Sequence, residues 1–334
     1  MTANIAPTAG IDIAKDRLDV ALHPSGETRQ FVNDRRGYGK LLRWLNKRAV
    51  ACVVFEATGC YGRALERRLE KAAVPFARVN PRHARRFAEA TGRLAKTDRV
   101  PTPLWRATAG APVDALMLAR FAAALDPECR PLRSATLDQL AELVAARRAL
   151  VSDRTATLNR QKTLRVPLLA RQAARRLTQI DAQIKTIDAA ARALVEAEPD
   201  LDRRCAILES IRGFGETTAI ALLADMPELG TLDEKQAAAL AGLAPMTRQS
   251  GKWKGKSKVQ GGRRHVRQTL FMPAMVAARF NEDMKTRLES LTKAGKPAKV
   301  AITAVMRKLI VLANALLRDD RLWTPQPARP TRLL

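Results

Sequence analysis

Four acidic residues stand on or beside successive elements of the first 115 residues: Asp12 within the apolar GIDIAK, Glu56 directly after AVACVVF, and Asp98 in RLAKTD and Asp114 in VDALMLARF on either side of a proline-rich loop. Gathered at one edge of a sheet, such carboxylates repel one another. If the four meet, a hard divalent cation such as Mg2+, with Mn2+ as a substitute, would relieve the repulsion and draw in phosphate oxygens. The residues alone equally allow four unrelated acids. Asp16 and Asp19, close to Asp12, are read as parts of a hairpin bend and its solvent face. His23, His83 and His265 lack ligand-like spacing, which argues against zinc.

A second centre of chemistry lies at 235–281, where ten Lys or Arg occur with no Asp or Glu. Ser250, followed by Gly251 and flanked by Arg248, Lys252, Trp253 and Lys254, is the candidate nucleophile; its hydroxyl could attack a phosphodiester whose charge the cations hold. Ser250-Gly251 could equally open a flexible loop. Ser257 is a second hydroxyl, in a setting closer to an exposed basic loop. Trp253 could stack on a base or pack across the loop stem. Lys256, Lys258, Arg263, Arg264 and Arg267 extend the basic surface, which should bind a phosphate backbone in a salt-dependent way. In ESIRGFGETTAIALLADM, the Gly213-Phe214-Gly215 turn could present backbone N–H groups to phosphate, as in a helix-hairpin-helix unit, or serve as a structural tight turn.

Positioning these residues requires at least two folded regions. Residues 9–24 read as two tightly joined strands, 37–48 as a helix, 49–55 as a strand, 61–73 as a helix, 74–80 as a strand and 113–125 as a helix, giving a mixed α/β sheet. Residues 101–112, PTPLWRATAGAP, read as a loop. From about 135 to 197 the chain is helix-forming and divided by Pro167, which suits a helical hairpin or coiled-coil arm. Helices are then expected on both sides of Gly213–Gly215, near 233–241, 265–280 and 297–317, before a proline-rich tail.

Composition agrees with a polyanionic partner. The 334 residues carry a net charge of +26 at 46% hydrophobic content, so folded regions bear the charge. Aromatics are 4%, which disfavours binding through many stacked rings. Four scattered cysteines suit a reducing compartment, and no export signal or long apolar span is evident, so a cytoplasmic, DNA-associated protein with no membrane partner is expected.

Together, GIDIAK, FEATG, RLAKTD and DALMLARF in the first half, and ESIRGFGETTAIALLADM, AALAGLAPMTRQSGKWKG and RRHVRQTLFMPAMVA in the second, resemble the IS110-type transposases, the bridge-RNA-guided DNA recombinases. The resemblance implies an RNase H-like, RuvC-like domain over 1–130, with an insertion at 101–113, whose Asp12, Glu56, Asp98 and Asp114 bind Mg2+. It implies a helical arm over 131–198, a mainly helical transposase domain over 199–322 with the serine nucleophile at Ser250, and a tail over 323–334. It further implies a 5′-phosphoserine intermediate, donor and target DNA, a structured noncoding bridge RNA, and homodimers assembling into a homotetramer whose active sites combine carboxylates from one subunit with serine from another. Two other readings stay open: a noncatalytic RNA- or DNA-binding scaffold, and a Mg2+-dependent junction nuclease that uses water.

The chain departs from the family at one point. The usual K-T-D-x-x-D-A spacing is interrupted, because Lys96-Thr97-Asp98-Arg99-Val100 is followed by 13 further residues before Asp114-Ala115. Two carboxylates three apart on a helix share a face. With the insert, the extra residues bulge out and the cluster survives, or the centre is folded but weakened, or the interruption merely disorders this corner.

Overall fold

The computed structural model describes residues 6–56, 61–91, 113–129, 134–247, 249–251, 253–255 and 257–325. The chain divides into two compact units, Met1–Leu132 and Arg133–Leu334.

The first unit is built on a mixed sheet. Strands β1 (Thr8–Ile13), β2 (Arg17–His23) and β3 (Thr28–Val32) form an antiparallel meander; helix α1 (Arg35–Asn46) leads to β4 (Cys52–Glu56), and helix α2 (Arg63–Lys71) to β5 (Phe76–Val79). The spatial order is β3-β2-β1-β4-β5, with β4 parallel to β1 and β5 parallel to β4. Period-two alternation sorts β1 into two faces. Ala9 and Ile11 join a core with Leu41, Trp44 and Leu45 of α1 and Leu65 and Leu69 of α2. Thr8, Gly10 and Asp12 point to the other face, which α4 (Val113–Leu125) covers after α3 (Pro81–Ala90). There Cys52 and Val54 of β4 pack with Met117, Leu118 and Phe121.

The expected opening hairpin and the helix at 113–125 are present. Helix α3 was not expected from the sequence, although Asn80 caps it through Arg82 N–H (2.9 Å) and Pro81 occupies its first turn. The loop expected at 101–112 lies outside the described residues.

The second unit starts with two long helices, α5 (Ala135–Gln161) and α6 (Pro167–Glu196), packed along one another and separated at Pro167 as the sequence requires. Arg147 pairs with Asp188 (2.5 Å) and Arg154 with Asp181 (2.6 Å) across them. Leu140, Val144, Ala191 and Val195 enter the core built by α7 (Pro199–Ser210), α8 (Glu216–Asp225), α9 (Glu234–Leu240), α10 (Arg264–Thr269), α11 (Phe271–Phe280), α12 (Glu282–Lys293) and α13 (Ala298–Arg318).

Between α9 and α10 run four two-residue strands, β6 (Pro245–Met246), β7 (Gln249–Ser250), β8 (Trp253–Lys254) and β9 (Lys258–Val259); β6 pairs with β9 and β7 with β8. The apolar stretch read as one helix near 265–280 breaks at Leu270 into α10 and α11, and α12 was not foreseen. Helix α13 is long and apolar enough by composition to cross a membrane, but Ile302, Val305, Met306, Leu309 and Ile310 are buried in this core.

Candidate nucleic-acid-processing site

Asp12 lies one residue before the C-terminal end of β1. The parallel register pairs Ile11 with Phe55, so its next rung sets Glu56, the last residue of β4, beside Asp12. Asp114 sits in the first turn of α4, whose position on the sheet is tightly determined. A Cβ on Gly10 would lie 2.0 Å from the Ala115 carbonyl oxygen and 2.4 Å from the Ala119 nitrogen, so only glycine allows this approach. The buried Thr8 hydroxyl donates to the Ala119 carbonyl at 2.8 Å, fixing the same helix further along. Asp114 is thereby carried to the edge that holds Asp12 and Glu56.

Electrostatics register this convergence. Burial pushes the Asp12 carboxyl above the usual aspartate range, and the charges of Asp114 and Asp19 push it further; the Ile13 N–H and Arg17 act in the opposite direction. Asp19 corrects the reading that placed it on a solvent face. It pairs directly with Asp12 in the β1–β2 register and is buried at 8% exposure, accepting hydrogen bonds from Gln30 (2.7 Å) and Arg17 (3.2 Å). The alternation in RLDVALH carried the signal: Leu18, Val20 and Leu22 take one face, so Asp19 must share the other with Asp12. Asp16 is exposed in the bend, as expected.

Asp98 lies outside the described residues. Among the described residues, no three His, Cys, Asp or Glu side chains form a group that could by itself hold a metal ion. An all-oxygen donor set in which one carboxylate is raised by burial and then by its acidic neighbours nonetheless fits Mg2+, which commonly takes one or two carboxylates and completes its shell with water and phosphate oxygens.

In the second unit Ser250 ends β7, is exposed, and pairs with Trp253 across the hairpin; Gly251 at φ +56° makes the turn. Arg248, Lys252 and Lys256, and the side chains of Trp253 and Lys254, lie outside the described parts. Lys258 on β9 and Arg264 at the start of α10 are exposed, as is Ser257.

Arg263 and Arg267 serve the fold. Arg263 donates to both Glu228 oxygens (2.6 and 2.8 Å) and to the Asp225 carbonyl (2.6 Å), and Arg267 donates to the carbonyls of Gly242 and Gly261 (both 3.1 Å). Gly213, at φ +110°, leaves no room for a Cβ against Ala277 and the Pro273 carbonyl, each 2.9 Å away, so its backbone packs on α11. Gly215 caps α8 and faces open space, with Glu216 in the first helical turn. That carboxylate disfavours an anion at this helix end.

Comparison with known proteins identifies the family of the chain. Residues 9–165 match the DEDD transposase profile of the IS110 family, and residues 205–289 match the profile described as transposase IS116/IS110/IS902 family. The chain is 28% identical over 333 residues to the pilin gene-inverting protein of Moraxella bovis, covering 93% of this chain and 96% of that one. Identity and coverage are the same for the pilin gene-inverting protein of Moraxella lacunata. A 44.8 kDa protein of insertion element IS116 from Streptomyces clavuligerus is 30% identical over 191 residues, 56% of this chain and 46% of that one. With one family match running from the carboxylate-edged mixed sheet into α5 and a second over the helices and hairpins of 205–289, the chain belongs to the IS110 family of DNA transposases and recombinases.

Proposed function

We propose that this transposase is an RNA-guided DNA recombinase that breaks and rejoins strands through Ser250, with Mg2+ held by Asp12, Glu56, Asp98 and Asp114. The observation that supports the reading is the placement of Asp12 and Glu56 at adjacent strand ends, with burial and then the charge of Asp114 raising the Asp12 carboxyl. Because the charge of Asp114 acts on Asp12 although 13 residues are inserted before it, survival of the cluster is favoured over a weakened centre.

In the reaction, the Ser250 Oγ–P bond forms and the P–O3′ bond breaks; the serine proton ends on the departing 3′ oxygen, leaving a 5′-phosphoserine and a free 3′-hydroxyl. The bond energy stays in the covalent intermediate, so rejoining needs no nucleotide cofactor. When bound, Mg2+ would neutralise charge developing on the phosphate oxygens. Asp12, on a rigid strand, and Asp114, on a helix clamped to it, would hold that cation in place; the exposed turn at Gly251 would let Ser250 approach DNA. Donor and target DNA would be selected by base pairing to a structured bridge RNA, within homodimers that assemble into a homotetramer, and exposed Lys258 and Arg264 would contact backbone phosphate.

Protein incubated with its guide RNA, donor and target DNA should yield a protein–DNA adduct on a denaturing gel that is lost in Ser250→Ala. Hydrolytic nicks without an adduct would indicate a junction nuclease instead, and binding without cleavage a scaffold. Asp98→Ala and Asp114→Ala should each abolish the Mg2+-dependent adduct; wild-type yield in Asp114→Ala would remove that residue from the metal set.

A further inference from the structure

The far end of the α5–α6 pair carries charge that neither candidate site uses. From Arg154 to Ile180 the chain has seven Lys or Arg and no Asp or Glu. Arg154 is neutralised by Asp181, and Arg147, nearer the core, by Asp188. Among the described residues, the other six, Arg160, Lys162, Arg165, Arg171, Arg175 and Arg176, make no ion pair and are exposed. Cations needed only to join the two helices would be placed opposite acids, as at Arg147 and Arg154. These six have no acids in this segment to meet, and an anionic partner relieves their mutual repulsion beyond what salt screens.

The surface is also shaped. On α6, Gln172, Arg175, Arg176, Gln179 and Gln183 line an open groove of about 530 Å3. Their spacing of three and four residues makes one continuous stripe, about 16 Å long at 1.5 Å per residue, matching roughly five phosphates of one duplex strand at 3.4 Å each. Arginine forks and glutamine amides suit phosphate and sugar oxygens.

We infer that this basic end of the α5–α6 pair, centred on the Arg175–Arg176 groove, is a second nucleic-acid surface that grips the phosphate backbone of a duplex, separate from the Ser250 hairpin. The inference rests on the reading of the chain as a nucleic-acid-processing protein. DNA and RNA duplexes share the chemistry that the groove recognises. Val166, Leu168 and Leu169 are exposed at the same end and would suit an anionic lipid surface, but the groove itself is lined by Gln and Arg rather than by apolar side chains.

The test uses the full chain and fluorescence anisotropy with a 20-base-pair DNA and a 20-base-pair RNA across a salt series, comparing wild type with R171Q/R175Q/R176Q. Removing three phosphate contacts should lower the slope of log affinity against log salt by about 2 to 3 and weaken binding at least tenfold at 0.1 M salt. A loss confined to one duplex assigns the groove to that nucleic acid. R36Q/K40Q/K47Q, which removes three exposed cations of α1 and its C-terminal cap, should leave the slope unchanged, and circular dichroism should show both variants folded. An unchanged slope in the arginine variant overturns the inference and leaves the transposase reading standing, whereas wild type that binds neither duplex overturns both. An equal change in both variants overturns it in favour of general electrostatics. Loss of binding to phosphatidylserine vesicles with duplex binding intact overturns it in favour of a lipid surface.

Discussion

The contact between Gly10 and α4 gives a sharp prediction for Gly10→Ala. The added methyl would lie 2.0 Å from the Ala115 carbonyl oxygen and 2.8 Å from Leu118 Cβ, so α4 must withdraw by about 1.4 Å to reach ordinary contact. Overpacking of this kind costs about 1–3 kcal/mol, and separating the buried Thr8 hydroxyl from the Ala119 carbonyl about 1–3 more. A total near 3–5 kcal/mol should lower the Tm of the first unit by roughly 10–20 °C. The transition of the second unit should not move. Because Asp114 travels with the helix, adduct formation, assayed well below the lowered transition, should fall about 100-fold, as a shift near 1 Å at a reacting centre does. Calorimetry and the denaturing gel provide the two readouts. Gly39→Ala is the control: a Cβ there meets nothing within 4 Å, and alanine should add about 0.5–1 kcal/mol to helix α1. A wild-type melt for Gly10→Ala would refute the claim that this close approach sets the position of Asp114.

Other consequences follow from single contacts. Asn314 is buried, accepts from the Gly230 N–H (2.8 Å) and donates to the Leu232 carbonyl (2.7 Å), so Asn314→Ala should destabilise the second unit by about 2–4 kcal/mol in urea denaturation. Arg263→Ala should cost about 1–3 kcal/mol and Arg263→Lys should recover little of it, because only the guanidinium fork meets both Glu228 oxygens; full recovery by lysine would contradict the bidentate assignment. The Cys205 thiol is pushed up to about 12, first by burial and then by its hydrogen bond to Glu209. Its contribution to stability is therefore complete below the unfolded thiol value near 9 and is lost as pH rises from 9 towards 12. Cys205→Ala should flatten the fall in second-unit stability over that window; an identical slope would remove Cys205 as its source. Deleting residues 101–113 should leave adduct formation within a few-fold of wild type, since the α4 clamp lies downstream of the cut, and a large gain in activity would instead mark the insert as a disruption.

Local pattern made much of the fold readable. The tight turn after Ile13, the β-branched run before Glu56 and the proline at 167 each act over a few residues, and the hairpin, β4 and the break between α5 and α6 follow from them. Helices α3 and α12 were hidden for different reasons. In α3 a strongly basic sequence buries little beyond Ala84, leaving only its Asn80 cap and Pro81 as signals. In α12 the polar face of EDMKTRLESLTK outweighs the single buried Met284.

At the site, residue type and spacing singled out Asp12, Glu56 and Asp114, but only the parallel register of β1 with β4 sets the first two side by side. Asp19 was misjudged because proximity in sequence suggested a bend, whereas cross-strand pairing decides which face it takes. Arg263 and Gly213 are a related case. A basic residue beside Ser250 and a glycine turn between helices each attract a ligand-binding reading, but the carboxylate and helix that occupy these two are contributed by segments far away in sequence.

The seating of α4 on β1 bears on how this protein tolerates change. Thr8 and Gly10 anchor the helix by its own body, so the location of Asp114 is dictated from its C-terminal side and owes nothing to the number of residues that precede it. The connection between α3 and α4 is in this sense a permissive port. A peptide tag inserted after Asp98, within 101–113, should therefore leave the spacing of Asp12 and Asp114 in register.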